Sequence, residues 1–159
     1  MKLKVLKIID GTTVDGTGLR TSIYFAGCNH QCAGCHNPQS WNIDGGYEIS
    51  IDDILQQVIE NDLDVTFSGG DPLLQVEPLK KLAEKIKDAG KNIWCYTGYT
   101  FEEIIADPEL KQILPHVDVI VDGPFIQSQR NISLHFRGSE NQRVIDVKRS
   151  LDGQIATLY

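Results

Sequence analysis

The sequence predicts one α/β domain, residues 1–159, built as a partial, open βα barrel. A chain of 159 residues is long enough for one domain with a single hydrophobic core. Segments with strand character alternate with amphipathic helical segments through the middle of the chain, and this alternation favours parallel strands joined by helices. A closed eight-stranded barrel takes about 250 residues, so the sheet is expected to stay open.

The first predicted elements frame a loop that contains cysteines. "LKVLKII" (3–9) and "TSIYFAG" (21–27) are typical of strands, and the second runs directly into the loop 27–38. The connection between them, "DGTTVDGTG" (10–18), is rich in glycine and threonine, as turns often are. We expect Arg20, which precedes the second strand, to be an ordinary surface charge.

The helical segments follow. "SIDDILQQVIEN" (50–61) has its apolar residues on one helical face, and Ser50 with Asp53 resembles a capping box in which Asp replaces Glu or Gln. A second helix is predicted to end near Gly90. Its apolar stripe consists of Leu79, Leu82, Ala83 and Ile86.

A third helix and the remaining strands complete the predicted order. Thr100 and Glu103 form a capping box for "FEEIIAD", and Pro108 predicts the start of another short helix. The remaining strands are "DVTF" (64–67), "NIWCYT" (92–97), "VDVIVDG" (117–123) and "RVIDV" (143–147). Cys95 lies in the middle of one of them, where we expect a buried structural thiol.

Charge and hydropathy limit the partners and the compartment. The net charge of -7 argues against nucleic acid, because phosphate binding needs a basic surface. There is no apolar run long enough to span a membrane and no signal peptide, so the expected compartment is the cytoplasm. Thiols stay reduced there, and clustered cysteines in such proteins indicate metal or redox chemistry.

The loop "GCNHQCAGCHNP" (27–38) contains three of the four cysteines, Cys28, Cys32 and Cys35. A structural zinc site could use them with His30 or His36, although structural zinc sites usually draw ligands from two separated pairs. An iron–sulfur cluster is the other partner of closely spaced thiolates. Three thiolates on a four-iron cluster would leave one iron without a protein ligand, which explains why the loop has three cysteines and not the usual four. The spacing favours iron–sulfur and leaves zinc open.

A glycine motif, "SGGDP" (68–72), follows the strand "DVTF". By itself, a double glycine after a strand indicates no more than a turn. Gly69 and Gly70 also lack side chains, so their backbone polar groups can approach an amino-acid ligand closely. Asp71 offers an acceptor for an ammonium group.

The segment "TVDGTGLRTSIYFAGCNHQCAGCHNPQSWNIDGG" (13–46) resembles the radical S-adenosylmethionine enzymes, particularly the activating enzymes of glycyl radical enzymes. The resemblance implies a barrel of the radical S-adenosylmethionine type. It also implies a 4Fe–4S cluster on Cys28, Cys32 and Cys35, whose open iron is chelated by S-adenosylmethionine. The implied cofactor contacts are the backbone edge Gly34, Cys35 and His36 near the adenine, and Gly69, Gly70 and Asp71 at the methionyl end.

The sequence departs from the superfamily pattern at two places. Ala33 and Gly34 stand where an aromatic residue usually precedes the third cysteine. Asp71 replaces the Glu of a Gly-Gly-Glu-Pro type motif, as is familiar in the ribonucleotide reductase branch. No catalytic residue is expected beyond the cluster and cofactor sites, because hydrogen abstraction needs placement more than proton transfer.

"VDVIVDGPF" (117–125) and "FRGSENQRVIDV" (136–147) resemble the activating proteins of anaerobic (class III) ribonucleoside-triphosphate reductase, and the resemblance runs from about residue 13 to residue 147. It implies that the protein generates a glycyl radical on that reductase, with a flavodoxin or ferredoxin as electron donor. The alternatives are an activating enzyme of another glycyl radical enzyme, such as pyruvate formate-lyase, and a non-enzymatic zinc or iron–sulfur module.

The C-terminal segment 130–149 carries five Lys or Arg residues against two acidic ones. It is either a solvated face or a functional segment in which Arg137, Asn141 and Arg143 dock the reductase or orient the cofactor. Asp122, at the end of a predicted strand, is either catalytic or the first residue of a turn. The sequence leaves both questions open.

Overall fold

The computed structural model describes residues 1–28, 30, 42–152 and 154–158. Within this part of the chain, seven strands form one sheet in the order β3-β1-β2-β4-β5-β6-β7. The strands are β1 (Lys2–Thr12), β2 (Arg20–Phe25), β3 (Tyr47–Ser50), β4 (Asp64–Gly69), β5 (Ile93–Tyr96), β6 (Val119–Asp122) and β7 (Arg143–Asp146).

The four central strands, β2, β4, β5 and β6, are parallel to one another. The outer strands β1, β3 and β7 pair antiparallel. The sheet therefore has edges at β3 and β7 and does not close, which confirms the expected partial, open α/β barrel.

Of the four α-helices in the described residues, the first three lie between parallel strands, as the alternation predicted, and the fourth follows β7. They are α1 (Ile51–Asn61), α2 (Val76–Asp88), α3 (Phe101–Ala106) and α4 (Val147–Ser150). Short 3-10 helices cover Ile43–Gly45, Pro72–Gln75, Leu110–His116 and Gln127–Gln129. No helix in the described part of the chain combines the length and the apolar character needed to cross a bilayer.

The helix ends follow the predicted signals closely. Ser50 Oγ accepts a hydrogen bond from the N–H of Asp53 at 3.0 Å and caps α1. Both hydrogen bonds of the Thr100–Glu103 capping box are present at the start of α3. Gly90, with φ +82°, follows α2. The helix predicted from Pro108 begins two residues later, at Leu110, and is a 3-10 helix.

Strand β3 was not predicted from the sequence. It pairs antiparallel with β1, from Lys2 opposite Ser50 to Val5 opposite Tyr47. The strand is only four residues long, and its last residue also caps α1. Its formation depends on β1, a partner more than forty residues away in the sequence, which local patterns do not reveal.

The main core lies between the sheet and its helices. Cys95 belongs to this core and is fully buried in β5, so the prediction of a buried structural thiol is confirmed. Burial raises the pKa of the Cys95 thiol well above its usual value. A smaller cluster lies on the other face of the sheet, inside the partial barrel: Trp94, Val119, Val121 and Val144, with Phe136 packed on it.

The expectation that Arg20 is a surface charge is wrong. Its side chain is 1% exposed at the first residue of β2. The guanidinium donates to Thr66 Oγ1 at 2.9 Å, Val65 O at 2.8 Å and Asn92 Oδ1 at 2.7 Å. It also lies 5.6 Å from the centroid of the Trp94 ring. Arg20 and Trp94 thus fill the barrel interior at the amino end of the parallel strands.

Candidate functional site at the carboxyl ends of the strands

A cavity of about 670 Å³ opens at the opposite end of the barrel interior. Each parallel strand contributes a lining residue at or near its carboxyl end: Tyr24, Ser68, Tyr96 and Val121. Gly69, the last residue of β4, also lines the cavity, and the loops that follow the strands contribute Cys28, His30, Gly70 and Gly123. Ligands of open α/β sheets bind at the carboxyl ends of the strands, so this cavity is the candidate site.

The carboxylate of Asp71 ties the ends of β4 and β5 together. It is 1% exposed, and Oδ1 accepts hydrogen bonds from the N–H of Leu73 at 3.0 Å and from Thr97 Oγ1 at 3.1 Å. Oδ2 accepts a further bond from the N–H of Gly98 at 3.0 Å. Several N–H and O–H donors around one buried carboxylate fix its position and orientation.

His30 connects the cysteine loop to the same carboxylate. Its Nε2 lies 2.6 Å from Asp71 Oδ2, and its ring packs edge-on against Tyr99 with centroids 4.6 Å apart. A Cβ on residue 98 would lie 2.6 Å from the ring, so Gly98 leaves the space that His30 occupies. The hydrogen bond with Asp71 raises the pKa of His30, against the opposing effect of burial. His30 therefore anchors the start of the cysteine loop at the strand ends.

The backbone of the glycine motif is joined to the residues just before the cysteines. The N–H of Gly70 donates to Phe25 O at 2.9 Å, and the N–H of Asp71 donates to Gly27 O at 2.7 Å. Gly69 has φ +100°, and a Cβ there would lie 2.3 Å from Phe25 N. The fold itself therefore requires glycine at residue 69, whatever the motif also binds.

Only one of the three predicted cluster ligands lies within the described residues. Cys28 lines the cavity together with Gly69 and Gly70. Cys32, Cys35, Gly34 and His36 lie outside the described residues. Among the residues that are described, no group of three or more His, Cys, Asp or Glu side chains is arranged to hold a metal ion.

Asp122 and Arg143 form an ion pair that holds three elements together. Asp122 is 1% exposed at the end of β6, and it accepts from the N–H of Phe101 at 2.8 Å and from Arg143 Nη2 at 2.6 Å. Arg143, in β7, also donates to Glu102 Oε1 at 2.6 Å. These two carboxylates raise the pKa of Arg143. The contacts give both residues a role in joining β6, β7 and α3.

The three candidate residues of the basic segment have different surroundings. Asn141 donates to Pro124 O at 2.8 Å and accepts from Ser139 Oγ at 2.6 Å, contacts that shape the loop between β6 and β7. Arg143 is engaged by Asp122 and Glu102. Arg137 lines the cavity, and its Nη1 donates to Gln142 O at 2.8 Å.

Several lining residues were missed by sequence reasoning. Tyr24 and Tyr96 face the cavity, and the Tyr24 hydroxyl is hydrogen-bonded to Asp15. Lys7 lies over the Tyr24 ring, 4.9 Å from its centroid. Alternation along β2 and β5 was the available signal, because Tyr24 and Tyr96 adjoin the core residues Phe25 and Cys95 and so face the other side of the sheet.

Comparisons with known proteins agree with this arrangement. Residues 14–145 match a protein family described as a 4Fe-4S single cluster domain. The fold is similar to the crystal structure of QueE from Escherichia coli, with a TM-score of 0.54 and 18% identity over 77% of this chain and 70% of that one. The chain thus belongs to the class of proteins with a 4Fe-4S single cluster domain, and its fold is the one seen in QueE.

Curated relatives narrow the class to a family. The chain is 40% identical to a protein of Haemophilus influenzae over 81% of its length and 88% of the relative. It is 36% identical to a protein of Escherichia coli K12, over 82% of this chain and 90% of the relative. It is 33% identical to a protein of Enterobacteria phage T4, over 82% of this chain and 86% of the relative. All three are named anaerobic ribonucleoside-triphosphate reductase-activating protein. The chain belongs to this family.

The close approach at Gly69 generates a prediction. Gly69→Ala should lower the free energy of unfolding by about 3 kcal/mol or more, since the new methyl group overlaps the backbone of Phe25. Gly90→Ala is the matched control, because Gly90 also has positive φ, +82°, but nothing lies within 4 Å of its added Cβ. The control substitution should lower the free energy of unfolding by about 1 kcal/mol, because only the backbone conformation disfavours alanine there. Urea unfolding measures both variants, and an equal decrease in the free energy of unfolding in the two would contradict the steric explanation.

The Asp122–Arg143 pair generates a second prediction. Arg143→Ala should destabilise the fold by about 3 kcal/mol, because it removes the cation paired with a buried carboxylate. Arg149→Ala, which removes an exposed arginine a few residues away, should change stability by less than about 0.5 kcal/mol. Thermal and urea unfolding measure both. Wild-type stability of Arg143→Ala would refute the structural role and return this arginine to the candidates for partner docking.

Proposed function

We propose that the protein activates an anaerobic ribonucleoside-triphosphate reductase by generating a glycyl radical on it, through reductive cleavage of S-adenosylmethionine at a 4Fe–4S cluster. One observation carries the proposal. The cavity brings Cys28 of the cysteine loop and the Gly69–Gly70 backbone into a single lining. A cluster and the amino-acid end of its ligand need such neighbours, and the chain belongs to a family of reductase-activating proteins.

The proposed cluster ligands are Cys28, Cys32 and Cys35, with one iron left for S-adenosylmethionine. Thiolates are the ordinary ligands of such clusters. Cys28 fits this role because it lies in the cavity lining, and His30 holds the loop close by through Asp71. Cys95 is excluded from the set, since it is buried in the core on the other face of the sheet.

The proposed cofactor contacts are the backbone edge Gly34, Cys35 and His36 for the adenine, and Gly69, Gly70 and Asp71 for the methionyl end. Gly69 and Gly70 line the cavity, which supports a direct role for their backbone. Asp71 is 1% exposed and accepts hydrogen bonds from four protein groups. Besides the contact proposed at the methionyl end, Asp71 would therefore fix the glycine backbone and the start of the cysteine loop in one arrangement.

Held by the three cysteines and the glycine backbone, the cluster and S-adenosylmethionine would supply the one-electron chemistry. With an electron from a flavodoxin or ferredoxin and a hydrogen atom from the Cα of a reductase glycine, this chemistry would yield methionine and 5′-deoxyadenosine and leave a glycyl radical on the reductase. The protein's own residues bind, orient and enclose the reactants. The strands β2, β4, β5 and β6 supply the walls of the cavity. Val14, 69% exposed, lies in the lining where the cavity meets solvent, and a glycine-bearing loop would enter there.

The proposal predicts that cluster, cleavage and radical formation depend on the same three cysteines. The protein, purified anaerobically and mixed with reductase, S-adenosylmethionine and an artificial reductant, should yield 5′-deoxyadenosine and a glycyl radical detectable by electron paramagnetic resonance. Cys28→Ala, Cys32→Ala and Cys35→Ala should each lose the cluster absorbance and both products. Cys95→Ala is the matched control and should keep all three, because its thiol lies in the core.

The same measurements distinguish the alternatives. Zinc instead of iron and sulfide in the anaerobic protein, or full cluster retention in Cys32→Ala, would contradict the proposal. Radical formation on pyruvate formate-lyase but not on the reductase would assign the protein to another glycyl radical enzyme.

A further inference from the structure

Two buried polar atoms at the cavity have no hydrogen-bond partner among the described residues. They are the Tyr96 hydroxyl oxygen and Arg137 Nε, and both residues line the cavity. Nearly all buried polar groups in proteins are hydrogen-bonded, so each such exception calls for an explanation. Two such donors that line one cavity are available to a ligand that accepts hydrogen bonds.

Tyr96 is placed on rigid backbone. It is the last residue of β5 and pairs with Val121 of β6. Burial raises the pKa of the Tyr96 hydroxyl, so this group keeps its proton and can donate a hydrogen bond. The following residue, Thr97, is bonded to Asp71, which fixes the end of the strand.

Arg137 is held in place, and no described residue neutralises its charge. Its Nη1 donates to the carbonyl of Gln142 at 2.8 Å, while Nε is buried and unbonded. No carboxylate of the described residues lies within ion-pair distance of Arg137, whereas Arg143 is paired with both Asp122 and Glu102. A partly buried guanidinium of this kind is stabilised by an anion, and a carboxylate matches its donor geometry.

We infer that Arg137 and Tyr96 bind the carboxylate of S-adenosylmethionine; the inference rests on the proposed function for the presence of that cofactor. The cofactor has one anionic group, its methionyl carboxylate, and its ammonium and sulfonium groups are cations that a guanidinium repels. Both unpaired protein groups are donors, and a carboxylate has about four lone-pair sites, enough for two donors besides a metal. Arg137 and Tyr96 would then select cofactors that carry the carboxylate.

The test compares S-adenosylmethionine with its decarboxylated analogue, by anaerobic calorimetry on the cluster-reconstituted protein. Arg137→Gln should weaken binding of S-adenosylmethionine by about 10- to 100-fold, the range for a charged hydrogen bond. Tyr96→Phe, which removes only the hydroxyl, should weaken it by about tenfold. Affinity for the analogue should change by less than about threefold in both variants, because the analogue has no group for these donors. Arg137→Lys keeps the charge and should lose less than Arg137→Gln.

Two matched controls accompany the variants. Arg130→Gln removes an exposed arginine from the same loop, and Tyr47→Phe removes the hydroxyl of an exposed tyrosine in β3. Both should leave the affinities for the two compounds unchanged. Iron content and circular dichroism establish that each variant is loaded and folded.

The outcomes are distinct. Equal loss of affinity for S-adenosylmethionine and its analogue would overturn the inference, since the two residues would not then recognise the carboxylate. Unchanged affinity for both compounds with fewer glycyl radicals would also overturn it and assign the donors to carbonyl groups of the protein substrate. If the unsubstituted protein failed to bind S-adenosylmethionine at all, the proposed function would fall together with the inference.

Discussion

The carboxylate of Asp71 is the contact on which the arrangement of the site depends, because separate parts of the chain meet on it. The 3-10 helix after the glycine motif, the end of β5 and the cysteine loop all donate to it, through Leu73, Gly98 and His30 respectively. The carboxylate is 1% exposed, so these donors replace water as its partners. The start of the loop that carries the proposed cluster ligands, at His30, and the backbone proposed to hold the methionyl group are thereby held at one end of the sheet.

The barrel interior has a closed end and an open end, and the polar groups differ accordingly. At the amino end, Arg20 is buried and its guanidinium is bonded to Thr66, Val65 and Asn92. At the carboxyl end, Tyr96 and Arg137 present buried donors that no described residue accepts. Satisfied polar groups stabilise the fold, whereas unsatisfied ones lower stability unless a ligand completes them. Ser22 Oγ in β2 is also buried without a partner among the described residues, but Ser22 does not line the cavity, so of these three only Tyr96 and Arg137 are placed to meet a ligand there.

Local patterns in the sequence predicted most of the fold. The helices α1, α2 and α3 and the central strands follow from periodicity and capping, as Ser50 and Thr100 show, whereas α4 was not predicted. The cysteine spacing and the glycine motif indicated the site because each is contained within a few neighbouring residues. Cys95 was correctly placed in the core because it sits in an apolar strand.

Other features could not be predicted, because their partners are distant in sequence. Arg20 donates a hydrogen bond to Asn92, which is 72 positions away in the sequence, and Arg143 donates one to Glu102, which is 41 positions away. No local pattern distinguishes such residues from surface charges. Asp71 was expected to face an ammonium group, yet His30, 41 positions away, is among its partners. The fold had to be known before these charged residues could be given roles.

Amide hydrogen exchange with mass spectrometry tests the role of Asp71 most directly. In Asp71→Ala, exchange should become faster in peptides that contain the N–H groups of Leu73 and Gly98, because both lose their acceptor. His30→Ala should leave these two N–H groups protected, since it removes only the link to the cysteine loop. Wild-type protection of Leu73 and Gly98 in Asp71→Ala would contradict the account and show that the strand ends hold their positions without the carboxylate.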